Sequence, residues 1–288
     1  MRLSKRRHIT NVLLTVFCIF ILYTLIPKRP IKRLVSYLTG YHAINKCNPL
    51  VSPVKSKHPV IALLGSDESG VEVLRFLIEQ LSGFYTGSVR EANSDIFDLD
   101  GHTGPEVIAI QAEELSDLGH VNGLVVVYRK LEDIVRAQFS KKVGKGVFAE
   151  APLRAYYGPN WKSFAINHGN RWETLYRSYF AVKKLPTLII HYEMLLNRED
   201  MRSELNKVAN FFHFPVWSTI EDCVVSGNLD ETLKLLYPKK LKPGFKPFSF
   251  LPKYHMDRFR KVQSEIDDIV KMKEEKYVPL TLAAQEKV

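Results

Sequence analysis

The chain has 288 residues, 45% hydrophobic and 25% charged, the balance of a globular protein rather than of a disordered or fibrous one. Its formal charge of +10 misleads, because residues 1–66 carry eleven Lys or Arg and no acid while residues 67–288 carry thirty bases against thirty-one acids. The main body is near neutral, which excludes the basic footprint of a general nucleic-acid binder.

The first element is an apolar run from Ile9 to Ile26 (ITNVLLTVFCIFILYTLI), flanked by Arg2, Lys5, Arg6 and Arg7 before it and by Lys28, Arg29, Lys32 and Arg33 after it. A bilayer crossing takes roughly 17–25 apolar residues, so the run reads as a single-pass signal-anchor behind a short cytoplasmic tail, residues 1–8. A cleaved signal peptide is the competing reading, but the run ends in Leu25, Ile26 and Pro27 without a small-residue cleavage site. Its shortness suits the thinner bilayers of the early secretory pathway. Four basic residues on each side leave the orientation undecided by charge, and no Asn-x-Ser/Thr sequon occurs. The basic excess suits contact with anionic lipid headgroups. Residues 27–58, rich in Pro, Lys and Ser, read as a stem.

Beyond the stem, Val60–Leu64, Val107–Ile110, Leu124–Tyr128 and Thr187–Tyr192 are apolar runs without alternation, the pattern of parallel strands covered on both faces. Helical periodicity falls between and after them at 71–82, 132–143, 161–182 and 199–212. Alternating strands and helices predict an α/β domain over residues 59–280, a parallel sheet in three layers. Residues 238–253 read as a long Pro- and Lys-rich loop, and a charged helix is expected at about 254–276.

The stretch VIALLGSDESGVEVLRFLI (60–78) has the outline of a strand, a tight loop and an amphipathic helix, a phosphate-gripping arrangement. It lacks the Lys-Ser/Thr pair of a nucleotide triphosphatase loop, and Asp67 and Glu68 stand where an anion would sit. At ~4 Å each uncompensated like-charge pair costs on the order of 1–4 kcal/mol. The alternative is ordinary helix capping by Asp67 or Ser69. A buried strand in GLVVVYRKLEDIVRAQFS (123–140) delivers Arg129 at its carboxyl end, where open α/β sheets bind ligands. Arg129 either recognises phosphate or pairs with Asp133. The DLD at 98–100 allows a metal-dependent glycosyltransferase only weakly. His102, His120, His168 and His191 share no metal spacing and read as surface or satisfied buried histidines. Of three cysteines, Cys18 lies inside the anchor, while Cys47 and Cys223 can pair if the domain is lumenal.

Taken in order, ALLGSDESGVEVLRFLIEQLSGFYTGS (62–88), VVVYRKLEDIVRAQFS (125–140), NWKSF (160–164) and TLIIHYEML (187–195) make the chain resemble the sulfotransferase domain of the WSC-domain-containing sulfotransferase family, which is Golgi-anchored. The resemblance spans roughly Cys47 to Lys271, without a WSC module, and Cys223 falls where that family has a late cysteine. It implies a P-loop-like sulfotransferase fold that uses 3′-phosphoadenosine 5′-phosphosulfate as donor and no metal. In that frame Ser69 and Gly70 belong to the loop that cradles the 5′-phosphosulfate, and Arg129 holds the 3′-phosphate. The sequence departs from the family at Ala137, Leu131 and most of the first loop, where Gly70 alone survives. Gln111, Ala112 and Glu113 replace a Lys-Thr-His-like stretch, so Glu113 is the candidate general base, or a solvated carboxylate. The expected protein is a single-pass Golgi membrane protein whose lumenal domain sulfates a glycan hydroxyl, with sialic acid suggested by the resemblance. The alternative is a non-catalytic member that binds a glycan or a partner enzyme.

Overall fold

The computed structural model describes residues 51–54, 58–91, 96–144, 150–214, 222–223 and 245–277, the Arg198 side chain excepted. Every described residue lies in the unit that spans residues 47–288. The Ile9–Ile26 run, Cys18, Cys47 and residues 238–244 of the expected 238–253 loop fall outside the described residues. No helix among the described residues is long and apolar enough to cross a membrane.

Five parallel strands form one sheet: β1 (Ile61–Leu64), β2 (Gly87–Ser88), β3 (Ala109–Ala112), β4 (Gly123–Tyr128) and β5 (Thr187–His191), in the order β2-β3-β1-β4-β5. The helices are α1 (Val71–Ser82), α2 (Leu131–Val143), α3 (Pro159–Ala181), α4 (Arg198–Phe212) and α5 (Lys253–Glu275). All four long strands match the sequence expectation to within two residues at each end, and so do the five helices. The missed element is β2, two residues long, in which neither alternation nor an apolar run can register. A parallel α/β domain is therefore what the chain folds into.

Apolar strands buried on both faces explain the two cores. Ala62, Leu64, Leu124 and Val126 face one side with buried residues of α2, α3 and α5. Ile61, Leu63, Val125 and Val127 face the other with α1 and α4. On α1 the buried Val71, Leu74, Leu77, Ile78 and Leu81 each contribute on the order of 1.5–3 kcal/mol on leaving water. From β1 the chain turns toward the β2 edge, and from β4 toward the β5 edge. Strand order thus reverses at the carboxyl end of β1, the position where open α/β sheets form a ligand crevice.

One polar group is buried in this frame and sets how α1 sits. Arg75 of α1 is fully buried and forms an ion pair with Asp100 at 2.5 Å. Its Nε donates to Thr86 Oγ1 at 2.8 Å and its Nη2 to the Thr86 carbonyl at 3.0 Å, while Phe97 lies under the guanidinium at 3.8 Å. Asp100 also accepts from Ser88 Oγ at 2.7 Å, and Glu79 accepts from the Thr86 amide and hydroxyl at 2.8 and 2.7 Å. Burial holds the Arg75 pKa below its usual value against the opposing pull of Asp100. Burial likewise raises that of Glu79, against its Thr86 donors. The DLD stretch is thereby accounted for: Asp100 serves the buried pair and Asp98 accepts from Tyr85 Oη at 3.1 Å. No metal-holding group occurs among the described residues.

Removing one member of such a pair strands a buried charge, at about 3–5 kcal/mol. Asp100→Ala should therefore lower unfolding stability in urea by that amount. The Arg75→Met/Asp100→Leu double variant should lose less than the two single variants combined. Additive losses would show the pair to be uncoupled.

Candidate functional site

The loop Gly65–Gly70 leaves β1 and enters α1, and its shape is held from outside. Gly70 has φ 93°, and a Cβ there would run into the Tyr192 ring. A Cβ at Gly65 would strike the Ser69 hydroxyl. Glu68 sits at φ 64°, a left-handed conformation that costs a non-glycine residue energy. Arg129 holds it there by donating from Nη1 to the Glu68 carbonyl at 2.6 Å. The Arg129 guanidinium also lies 4.4 Å from the Tyr192 ring centre, and Trp172 Nε1 donates to the Arg129 carbonyl at 3.2 Å. From α2, Gln138 Nε2 donates to the Asp67 carbonyl at 2.7 Å, and Lys141 Nζ lies 3.0 Å from Asp67 and 2.9 Å from Glu68. Burial works to lower the Lys141 pKa, but Glu68 and Asp67 outweigh it and raise the value. The two acidic side chains of the loop thus face a cation.

Neither expected cap forms. The N-cap of α1 is Gly70, with no side-chain capping hydrogen bond. Ser69 is fully buried and its hydroxyl has no partner among the described residues. The start of α1 thus carries no side-chain cap from the loop, and the Glu72 carboxyl turns to its own amide.

Beside this loop, at the carboxyl ends of β1, β2 and β3, lies a cleft of about 370 Å³, within the ordinary size range of small-molecule sites. Gly65, Val71, Gln111 and Ala112 line it from the sheet and α1, and Ser88 and Arg90 from the end of β2. Helices α2 and α3 contribute Gln138, His168 and Arg171. Its charges are mixed: Asp67, Glu72, Asp100 and Glu113 against Arg90 and Arg171.

Glu113 is at this wall, directly after β3. Tyr179 Oη donates to its carbonyl, and Arg171 forms two bonds to its carboxylate, at 3.1 Å from Nε and 2.9 Å from Nη2. Arg90 adds a longer contact at 3.4 Å. The bonds to Glu113 outweigh partial burial and raise the Arg171 pKa. Gly70 and Ser69 lie in the adjoining loop. Arg129 is not among the residues lining the cleft; it is buried beneath the loop and makes no ion pair with Asp133 among the described residues.

Sequence reasoning missed Lys141, Gln138 and Arg171, and left His168 as a bland histidine. The signal for the last two was the helical spacing of Phe164, His168 and Arg171, which puts three stacking or charged side chains on one face of α3. Cys223 is buried and disulfide-bonded, with its partner outside the described residues.

No known family profile matches the chain. Two curated fruit-fly proteins are similar to it. WSCD family member GA21586 of Drosophila pseudoobscura pseudoobscura is 23% identical over 183 residues, and WSCD family member CG9164 of Drosophila melanogaster is 22% identical over 183 residues. Each match covers 61% of this chain and 57% of the relative. The chain is thus distantly similar, over part of its length, to proteins named as WSCD family members.

Two outcomes follow from this geometry. Arg129→Ala removes a charged donor from the half-buried Glu68 carbonyl, and should lower unfolding stability by about 1.5–3 kcal/mol, read by denaturant titration. Glu72 has its pKa raised, first by burial and then by Asp67 and Glu68, against the favourable bond to its own amide. A carboxyl with a raised folded-state pKa binds its proton more tightly when folded, so its ionisation costs stability above that pKa. Glu72→Gln should melt higher than the parent at neutral pH. The gap should close as pH falls through the raised pKa and be gone below the ordinary glutamate value. A gap that widened on acidification would reverse the assignment.

Proposed function

We propose that this chain is a sulfotransferase-like protein that binds 3′-phosphoadenosine 5′-phosphosulfate in the cleft and transfers its sulfuryl group to a glycan hydroxyl. One observation carries the reading: a strand–loop–helix of phosphate-binding shape opens, at the reversal point of a parallel sheet, into a polar cleft walled by two guanidiniums. The distant likeness to proteins named as WSCD family members lends support to the family resemblance on which it draws. The amides at the start of α1, with Ser69 and Gly70, take the 5′-phosphosulfate. Arg129 serves the nucleotide by holding the loop from beneath, and Arg171 and Arg90 supply exchangeable positive charge once an anion competes with Glu113. The acceptor oxygen attacks sulfur in line as the bond to the bridging phosphate oxygen breaks, so positioning and charge carry most of the rate.

Sialic acid is the acceptor suggested by the family resemblance. A single-pass anchor at Ile9–Ile26, a lumenal domain in the Golgi and a Cys47–Cys223 disulfide belong to the same proposal. A second reading, a non-catalytic domain that binds a glycan or a partner enzyme, is favoured by a specific observation. Glu72 and Asp67 line the cleft beside the α1 amides that a phosphosulfate needs.

Calorimetric titration of the full-length chain with 3′,5′-phosphoadenosine separates the two. Saturable binding is expected, weakened tenfold or more in Arg171→Ala, because a charge-assisted bond contributes about 1.5–3 kcal/mol. No binding by the parent chain would leave the non-catalytic reading standing.

A further inference from the structure

We infer that His168 is the group that takes the proton from the acceptor hydroxyl, through its Nε2, an assignment that rests on the sulfuryl-transfer reading. Gln138 fixes which ring nitrogen is available. Its side-chain amide faces the Asp67 carbonyl at 2.7 Å, and a carbonyl can only accept, so the atom there is the amide nitrogen. The amide oxygen therefore faces His168 Nδ1, at 2.8 Å, and can only accept from it. The neutral imidazole must then carry its hydrogen on Nδ1, which leaves the lone pair on Nε2. No bond to Nε2 occurs among the described residues, and His168 lines the cleft. The ring lies nearly flat on Phe164, 3.7 Å between centres and 16° between planes, so its direction is set as well as its tautomer. Gln138 thus couples the orientation of this base to the loop beside the donor site.

The charged groups around the ring favour the neutral form. Burial lowers the His168 pKa first, Lys142 of α2 and Arg171 of α3 lower it further, and Asp67 of the loop and Glu113 beyond β3 oppose them. A base that is unprotonated at neutral pH and has a free lone pair suits proton abstraction. Glu113 is less suited, because Arg171 already engages both of its carboxylate oxygens. In the step itself, the hydroxyl proton passes to Nε2 and the oxygen's electron pair forms the new bond to sulfur. The bond from sulfur to the bridging oxygen breaks, and its electrons leave on the phosphate of 3′,5′-phosphoadenosine.

The test uses the full-length chain, sulfur-labelled 3′-phosphoadenosine 5′-phosphosulfate and a sialylated glycopeptide as the hydroxyl probe. His168→Ala and His168→Gln should each lose at least about 100-fold in kcat, with unchanged affinity for 3′,5′-phosphoadenosine. The ascending limb of the parent's pH–kcat profile should vanish in both, and added imidazole should restore part of the Ala variant's rate. Nitrogen NMR of the parent should show the Nδ1–H tautomer. Retained turnover with the limb intact, a proton on Nε2, or loss of the limb in Glu113→Gln instead would each overturn the assignment. A parent chain that binds the nucleotide but transfers nothing overturns the base role and leaves the binding reading. A parent chain that binds no nucleotide removes both.

Discussion

The guanidinium of Arg75 is the constraint around which the cleft is arranged. A fully desolvated cation on the inner face of a helix is tolerable only if every donor finds an acceptor. The acceptors come from Thr86, just before β2, from Asp100 and, at 3.4 Å, from Gln111 on β3. Meeting that demand locks α1 against the β2 edge of the sheet and closes the turn that carries Asp100. Ser88, Gln111 and Asp100 then stand in the cleft wall as a by-product of satisfying Arg75. The position of the α1 amino terminus, and so of the loop before it, follows from the same anchoring.

The loop is the second consequence. Left alone, a segment with adjacent acids and a non-glycine residue at positive φ would not hold one shape. Arg129, Gln138 and Lys141 supply a carbonyl partner, an amide donor and a countercharge, while Tyr192 fills the space that a side chain at position 70 would need. What looks locally like a damaged phosphate loop is in the folded chain a loop braced from several sides, with its acidic side chains directed at a lysine and no side-chain cap at the start of α1. Such a loop is preorganised before any ligand arrives.

Periodicity and apolar runs made most of the scaffold legible, because β4 and α3 are decided by their own residues: six consecutive buried positions in one, buried residues recurring at helical spacing in the other. The site was only half legible. Glu113 and the loop could be placed from strand ends, since a strand end is a local property. The partner of Asp67 could not, because Lys141 lies 74 residues away and only the packing of α2 against the loop brings them together. Arg129 was read at its strand end but its contacts were not, since the sequence says that an arginine follows β4, not that Tyr192 and the Glu68 carbonyl await it. Likewise the burial of Asp100 could not be read, because nothing local reveals that a helix arginine is packed against it.

The last helix carries a different kind of consequence. Gln263 Oε1 accepts from the Leu131 amide at 2.8 Å, and Asp267 accepts from Tyr128 Oη. The end of β4 and the first turn of α2 are thus finished by side chains more than 130 positions later in the chain. During synthesis, at roughly 5–20 residues per second, the sheet emerges well before the residues that complete it, so the nascent chain spends several seconds with β4's carboxyl end and α2's start unsatisfied. Truncation before α5 therefore leaves a nearly whole sheet without the bonds that finish β4 and α2.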